Sequence, residues 1–267
     1  MKVLVIGAGN MGLTYSEGIV NSGLLNRRKL MIQDLSAEKI IELRENPKFD
    51  VHEQLDTCLP QADIVFLAIK PYHAEELFAN MKEKINLQQI FVSLMAGIKI
   101  EYIQKHLTVK KVVRTMPNLP AKVGYGVTSF TESQSVSRVE LLMIRNLLDT
   151  IGTSIHVNSE EYIDKSTGIS GSGPACVFYF MQSMLEAAKQ MGFSDYDSKV
   201  LVSSTFEGAV KLFNDADLTP ETWMNRVASK GGTTRAALDS MKENNVNQLI
   251  KDAAYAAFNR AVELGKE

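Results

Sequence analysis

The strongest constraint on this chain is a ten-residue run near its start, VLVIGAGNMG at residues 3–12. Four apolar residues lead into Gly7, Gly9 and Gly12 at G-x-G-x-x-G spacing, and the amphipathic stretch MGLTYSEGIVNSG follows. A strand, a tight turn and a helix satisfy that pattern together. Gly7 permits the turn, Gly9 lets backbone come close to a pyrophosphate, and Gly12 lets the helix lie tightly on the strand. The unpaired N–H groups of the helix start attract the anion. Gly7, Ala8, Gly9, Asn10 and Met11 are therefore expected at the phosphates of a dinucleotide. A glycine-rich turn without a ligand is the plainer alternative.

The rest of the first half repeats this rhythm. KLMIQD, ADIVFLAIK, QIFVSLMAG and KKVVRTMP read as strands, and SAEKIIELREN, YHAEELFANMKEKI and KIEYIQKHL as helices between them. The strands are rich in Val, Ile, Leu and Phe and lack polar alternation, as expected of a mainly parallel sheet covered on both faces. After MPNLPAKVGYG come one more helix, SRVELLMIRNLLDTIG, and a short strand, SIHVN. From Glu160 the strand signal stops. The expected organisation is a Rossmann-type dinucleotide-binding domain over residues 1–159 and an all-α domain over 160–267, with no repeat or linker between them.

Within the helical half, PACVFYFMQSMLEAAKQMG carries Pro174 in its first turn and is followed by Gly192, while Thr219 and Pro220 mark the start of PETWMNRVAS. Tyr179, Phe180 and Met184, with Phe206, Val210 and Phe213 on the next helix, read as core. Any apolar surplus suits burial against a second copy.

Composition narrows the function classes. Hydrophobic residues make up 45% and charged residues 22%, as in an ordinary globular protein, and a net charge of -2 offers no footprint for nucleic acid or an anionic membrane. The longest basic cluster, Arg27, Arg28 and Lys29, reads as a solvated turn. Cys58 and Cys176 are too far apart in sequence for a metal-ligand pair and too few for a disulfide scaffold, so both read as reduced thiols. His52, His73, His106 and His156 read as surface or packing residues. Without a leader or an apolar run near 20 residues, the expectation is a cytoplasmic protein.

Further candidates lie where the strands end. Asp34 follows the second strand, where a carboxylate accepts hydrogen bonds from a ribose and repels a 2′-phosphate. Leu35 comes next and no arginine is adjacent, which favours NADH over NADPH, although Lys39 is near enough to matter. Ala68, Ile69, Lys70 and Pro71 close the strand segment that begins ADIVFL. Ala96 and Gly97 close the one that begins QIFVSL and leave room for a nicotinamide. Two small-residue segments, GISGSGPA at 168–175 and SKGGTT at 229–234, precede helices in the second half. Spacing alone favours the reading in which Ser172 and Thr233 cap helices and the glycines turn the chain, over a cradle for an anion.

Five blocks in order, IGAGNMG, ADIVFLAIKP, RTMPNLPAKVGYGVT, GISGSGPA and SKGGTTRAALD, change that balance, because together they resemble the Δ1-pyrroline-5-carboxylate reductases of proline biosynthesis over essentially the whole chain. The last block is the family's signature loop. The resemblance implies hydride transfer from NADH or NADPH to L-1-pyrroline-5-carboxylate, giving L-proline without a metal or a protein nucleophile. It further implies a homodimer or higher homo-oligomer interlocked through the helical domain, with the signature loop of one subunit completing a site that faces its partner's cofactor. Ser229, Lys230, Gly231, Gly232, Thr233, Thr234 and Asn118 become substrate-binding candidates. Backbone N–H groups around Gly231 to Thr234 would hold the carboxylate, and Thr234, the catalytic candidate, matches the threonine that hydrogen-bonds the ring nitrogen.

Five positions depart from the commoner family pattern. Lys230 replaces a proline, Tyr125 a glutamate and Cys176 a tyrosine, and Asp34-Leu35 replaces the polar-arginine pair of NADPH-preferring members. Two other readings remain open. A hydroxyacid dehydrogenase would need a basic lysine near an asparagine pair, and Lys189 is followed instead by QMGF. A non-catalytic relative would bind NAD(H) without turnover.

Overall fold

The computed structural model describes residues 1–25 and 29–265, so Arg27 and Arg28 lie outside the described residues. The sheet-bearing part runs β1 (Val3–Ile6), α1 (Asn10–Asn21), β2 (Leu30–Gln33), α2 (Ala37–Glu45), β3 (Asp50–His52), α3 (Leu55–Cys58), β4 (Ile64–Leu67), α4 (Ala74–Met81), β5 (Ile90–Ser93), α5 (Ile100–Leu107), β6 (Val112–Met116), β7 (Gly126–Glu132), α6 (Arg138–Leu148), β8 (Gly152–His156) and α7 (Glu160–Ser166). Five helices follow: α8 (Gly173–Gln190), α9 (Asp195–Asp215), α10 (Pro220–Val227), α11 (Thr233–Glu243) and α12 (Val246–Leu264).

The eight strands form one sheet in the order β3-β2-β1-β4-β5-β6-β7-β8. All neighbours pair in parallel except β6 and β7, which are antiparallel. Alternate residues feed two cores: Val3, Val5, Ile64 and Phe66 enter one, and Leu4, Ile6, Val65 and Leu67 the other. Both faces are thus covered, which is why these strands read as unbroken apolar runs. No helix among the described residues is long and apolar enough to cross a membrane.

Two strands were not expected from sequence. β3 has three residues and an exposed first position, too little for a pattern. β7 is buried but carries Thr128, Ser129 and Thr131, whose burial is tolerated because neighbouring groups satisfy such hydroxyls. The Tyr15 hydroxyl, for example, lies 2.9 Å from Thr128 Oγ1. Burial also pushes the Tyr15 phenol above its ordinary pKa, so it stays neutral.

A buried charge anchors the carboxyl-terminal end of this sheet. Arg114 of β6 is only 1% exposed. Its Nη2 donates to Asp164 Oδ1 at 2.5 Å and its Nη1 to Glu160 Oε1 at 3.2 Å. Glu160 Oε1 also accepts the Ile100 N–H at 2.9 Å, so β6, the start of α5 and α7 share one network.

By internal contacts the chain divides into one unit spanning Met1–Ser172 and rejoined from Ala256 onward, and a second spanning Gly173–Tyr255. The second unit has the expected signals: Thr219 accepts the Thr222 N–H at the start of α10 with Pro220 in the first turn, and Gly192 after α8 has φ +97°. Its apolar residues depart from expectation. α8 has no buried residue, Tyr179 is 79% exposed, and Val210 and Phe213 are also exposed. Phe180 and Phe206 do meet edge to face, with ring centroids 5.7 Å apart. The reading of this set as intrachain core is therefore corrected: a few long helices bury one stripe between them and leave the rest uncovered.

Removing Asp164 tests the Arg114 network, because it leaves a buried guanidinium short of its partner. Asp164→Ala is expected to cost about 3 kcal/mol in chemical denaturation, and Arg114→Met/Asp164→Leu considerably less.

Candidate functional site

A cleft of ≈ 740 Å³ opens beyond the carboxyl ends of β1, β2, β4 and β5. Gly7, Gly9, Asn10 and Met11 form one wall, and Asp34 and Leu35 stand at the end of β2. Ala68, Ile69, Lys70 and Pro71 line it after β4, and Ala96 after β5. Two of the expected residues sit behind this surface. Ala8 is buried and takes part through its N–H. Gly97 is buried with φ +78°, and a Cβ there would lie 3.0 Å from the Leu264 carbonyl oxygen. It serves a tight turn.

The three fingerprint glycines meet different demands. Gly7 has φ +99°, and a Cβ on it would approach the Ala68 oxygen to 2.7 Å. A Cβ on Gly12 would collide with the Gly7 carbonyl, so helix and strand touch through backbone. A Cβ on Gly9 would meet nothing within 4 Å: the space beside it is free for a ligand. Gly9 is also the N-cap of α1, and no side chain caps that helix. The first-turn donors of α1 are thus available to an anion.

Asp34 is held in place beside this loop. Its Oδ2 accepts the Ala8 N–H at 2.6 Å, and its Oδ1 accepts the Ser36 N–H at 2.9 Å. Lys39 Nζ lies 3.7 Å from Oδ2. Ser36 caps α2 by accepting the Lys39 N–H, which places that lysine on the first turn, over the carboxylate. The β2 end of the cleft therefore presents an acid paired with a base.

His73, read from sequence as a surface or packing residue, lines the cleft together with Glu76, Leu77 and Asn80. Their spacing of three and four along the start of α4 marks one helical face, a signal that was available. The other histidines are elsewhere engaged: His52 Nδ1 lies 2.9 Å from Thr57 Oγ1, His106 stacks on Tyr102, and His156 Nε2 is 2.7 Å from Glu132.

Ser229, Lys230, Gly231, Gly232, Thr233 and Thr234 form one turn leading into α11. Gly231 has φ +71°, and the Gly232 N–H donates to the Ser229 carbonyl at 3.1 Å. The N-cap is Gly232 and no side chain caps the helix, so Thr233 is its first residue. This corrects the reading of Thr233 as a cap: among the described residues no side chain caps the first turn of α11. In the other small-residue segment, Thr167–Gly171 makes a π-helical turn, with the Ser172 N–H donating to the Thr167 carbonyl at 2.8 Å.

Asn118 is 9% exposed and uses both ends of its amide within the first unit. Oδ1 accepts the Val127 N–H at 2.9 Å, and Nδ2 donates to the Ser170 carbonyl at 3.1 Å. These bonds fasten the 118–127 loop to the π-helical turn.

The pyrroline-5-carboxylate reductase dimerisation family model matches residues 160–264, and an NADP oxidoreductase (coenzyme F420-dependent) model matches residues 2–97. A pyrroline-5-carboxylate reductase of Staphylococcus haemolyticus is 31% identical over 268 residues, spanning 100% of this chain and 98% of the relative. That of Staphylococcus epidermidis is 32% identical over 267 residues, spanning 99% and 98%. The chain belongs to the pyrroline-5-carboxylate reductase family. A solved family member from Coxiella burnetii superposes with a TM-score of 0.91 at 29% identity, covering 100% of this chain and 99% of that one. A Plasmodium falciparum pyrroline carboxylate reductase, solved with NADP bound, gives 0.89 at 25% identity, covering 99% and 98%. The chain is thus an oxidoreductase with a nicotinamide-cofactor fold, whose Rossmann-type domain precedes the family's helical domain.

Substitution separates the glycine roles. Gly9→Ala should keep its thermal midpoint and weaken NADH binding about tenfold in a calorimetric titration. Gly12→Ala should lose stability outright, because its methyl meets backbone.

Proposed function

We propose that this protein is a pyrroline-5-carboxylate reductase that converts L-1-pyrroline-5-carboxylate to L-proline, with NADH favoured and NADPH accepted. The observation that carries the substrate assignment is the uncapped start of α11, where Gly232 leaves the first-turn N–H groups without a side-chain cap beside Thr233 and Thr234. Such a turn suits a carboxylate. Gly9, Asn10 and Met11 hold the pyrophosphate with Gly7 and Ala8 shaping the loop from behind, Asp34 and Leu35 meet the adenosine ribose, and Ala68 to Pro71 with Ala96 border the rest of the cofactor, Gly97 shaping the turn behind it. When bound, the cofactor supplies a hydride to C5 of the imine.

The protein's own part is placement. N–H groups from Gly231 to Thr234 hold the substrate carboxylate, with Ser229 and Lys230 at the rim, and the Lys230 ammonium adds attraction. Asn118 acts on the substrate side by fixing its loop. The imine reacts in its protonated form: its ring N–H donates a hydrogen bond to the Thr234 hydroxyl oxygen, the C=N electron pair moves onto that nitrogen as the hydride arrives at C5, and the nitrogen keeps its proton to give the secondary amine. Holding the reacting carbons together accounts for about 7 to 11 kcal/mol of the barrier. We assign cofactor binding to residues 1–159 and substrate binding and dimerisation to 160–267, in a homodimer or higher homo-oligomer working in the cytoplasm. The exposed apolar residues of α8 and α9 support burial against a second copy. Lys189, which a hydroxyacid dehydrogenase would need as its base, instead pairs with Asp195 Oδ1 at 2.6 Å on an exposed surface.

The assay is oxidation of NADH or NADPH dependent on pyrroline-5-carboxylate; binding without turnover would favour the non-catalytic alternative. Thr234→Ala should lower kcat/KM by about 10- to 100-fold, and an unchanged value would remove Thr234 from the mechanism. Lys39 sets the second cofactor's access: it offsets the Asp34 charge and can turn to a 2′-phosphate. In Lys39→Ala, kcat/KM with NADPH should fall about tenfold more than with NADH, and parallel losses would discard this role.

A further inference from the structure

Beside the cleft a cation stands close to the glycine loop without belonging to its motif. Lys122 Nζ donates to Asn10 Oδ1 at 3.2 Å, although the two residues are 112 positions apart in sequence. Asn10 is the first residue of α1, directly after the Gly9 N-cap, and it lines the cleft. The ammonium is thereby brought to the end of α1 whose N–H groups are uncapped.

The segment that carries Lys122 is built to hold it there. A 3-10 turn over Leu119–Val123 has Pro120 at its start, and the Ala121 N–H donates to the Asn118 carbonyl at 3.2 Å. Ala121 is 3% exposed and packs into the same core cluster as Val3, Val5 and Tyr15. Gly124, with φ +79°, closes the turn, its N–H donating to the Ala121 carbonyl at 3.0 Å. The Asn118 side chain ties the far side of the loop to Val127. Lys122 is thus an exposed side chain on a fixed backbone, so little ordering of the chain is needed to keep its charge at the cleft. Lys39, Lys84, Lys111, Lys165 and Lys189 are paired with carboxylates. Lys122 has no carboxylate partner among the described residues, and its neighbour at Asn10 is neutral.

We propose that Lys122 is a further cofactor-binding residue, its ammonium meeting the pyrophosphate at the start of α1 and complementing the uncapped N–H groups there. The inference deepens the reductase reading and rests on its dinucleotide cleft. The contact is electrostatic and partly solvated, so its contribution is modest and salt-dependent.

Lys122→Met keeps the length of the side chain and removes its charge. Affinities of wild type and variant for NADH, ADP-ribose and adenosine, measured by calorimetry at several salt concentrations, provide the test. The expected result is a Kd raised about three- to fivefold for NADH and ADP-ribose at low salt, converging with wild type at high salt, while adenosine and the thermal midpoint stay unchanged. Unchanged Kd values for the two phosphate-bearing ligands would overturn the proposal, as would an equal loss for adenosine. A rise confined to the KM for pyrroline-5-carboxylate would also overturn it, because it would move Lys122 to the substrate carboxylate. Wild-type protein that binds NADH without reducing the imine would remove the reductase reading and leave the Lys122 comparison standing; wild type that binds no dinucleotide would overturn both.

Discussion

The first helix of this protein meets its strand through backbone, and the cleft at the ends of the strands is arranged around that contact. Because Gly12 has no Cβ to strike the Gly7 carbonyl, α1 lies close enough to bring its uncapped first turn to the mouth of the sheet. The turn that makes this possible also exposes the Ala8 N–H inward, where it takes Asp34 Oδ2 and so fixes the end of β2 relative to the loop. Lys39 then has a stationary carboxylate to pair with, and Lys122 a stationary Asn10. A wider separation of helix and strand would loosen all of these at once.

Around β6, order depends on polar burial. Arg114 is enclosed among apolar strands yet shares two carboxylates, one of which also holds the start of α5. Such a cluster adds little net stability compared with well-packed hydrophobic residues, but any arrangement that separates its members leaves a charge uncompensated. It therefore specifies where α7 lies against β6, and α7 leads through the π-helical turn into α8. Asn118 plays the same part with a neutral amide, holding Val127 and Ser170 together.

These two kinds of contact explain what was legible in the sequence. The parallel strands announced themselves because burial on both faces demands uninterrupted apolar residues, and the glycine spacing announced the first turn because no other residue fits it. β7 did not, since its threonines and serine are buried, and the partner of Thr128 comes from Tyr15 in a distant segment. Thr233 looked like a helix cap because spacing does not distinguish a threonine at the cap from one a position inside; the backbone puts Gly232 there instead. The histidines looked alike, and only the placement of α4 brings His73 to the cleft. What local patterning reports is burial and turns; which distant groups meet is decided by topology.

The two contact-defined units also differ in how much apolar surface they keep to themselves. The first encloses its central strands, whereas α8 leaves Val177, Phe178 and Tyr179 uncovered. In the proposed homodimer this has a consequence for biogenesis. A newly synthesised chain carries an adhesive surface until it meets another copy, and the waiting time grows as copies become scarce. Correct pairing is second order in concentration, but so is mispairing with other unfolded chains, so the yield of native protein depends on how many folded copies are already waiting when each new one is released.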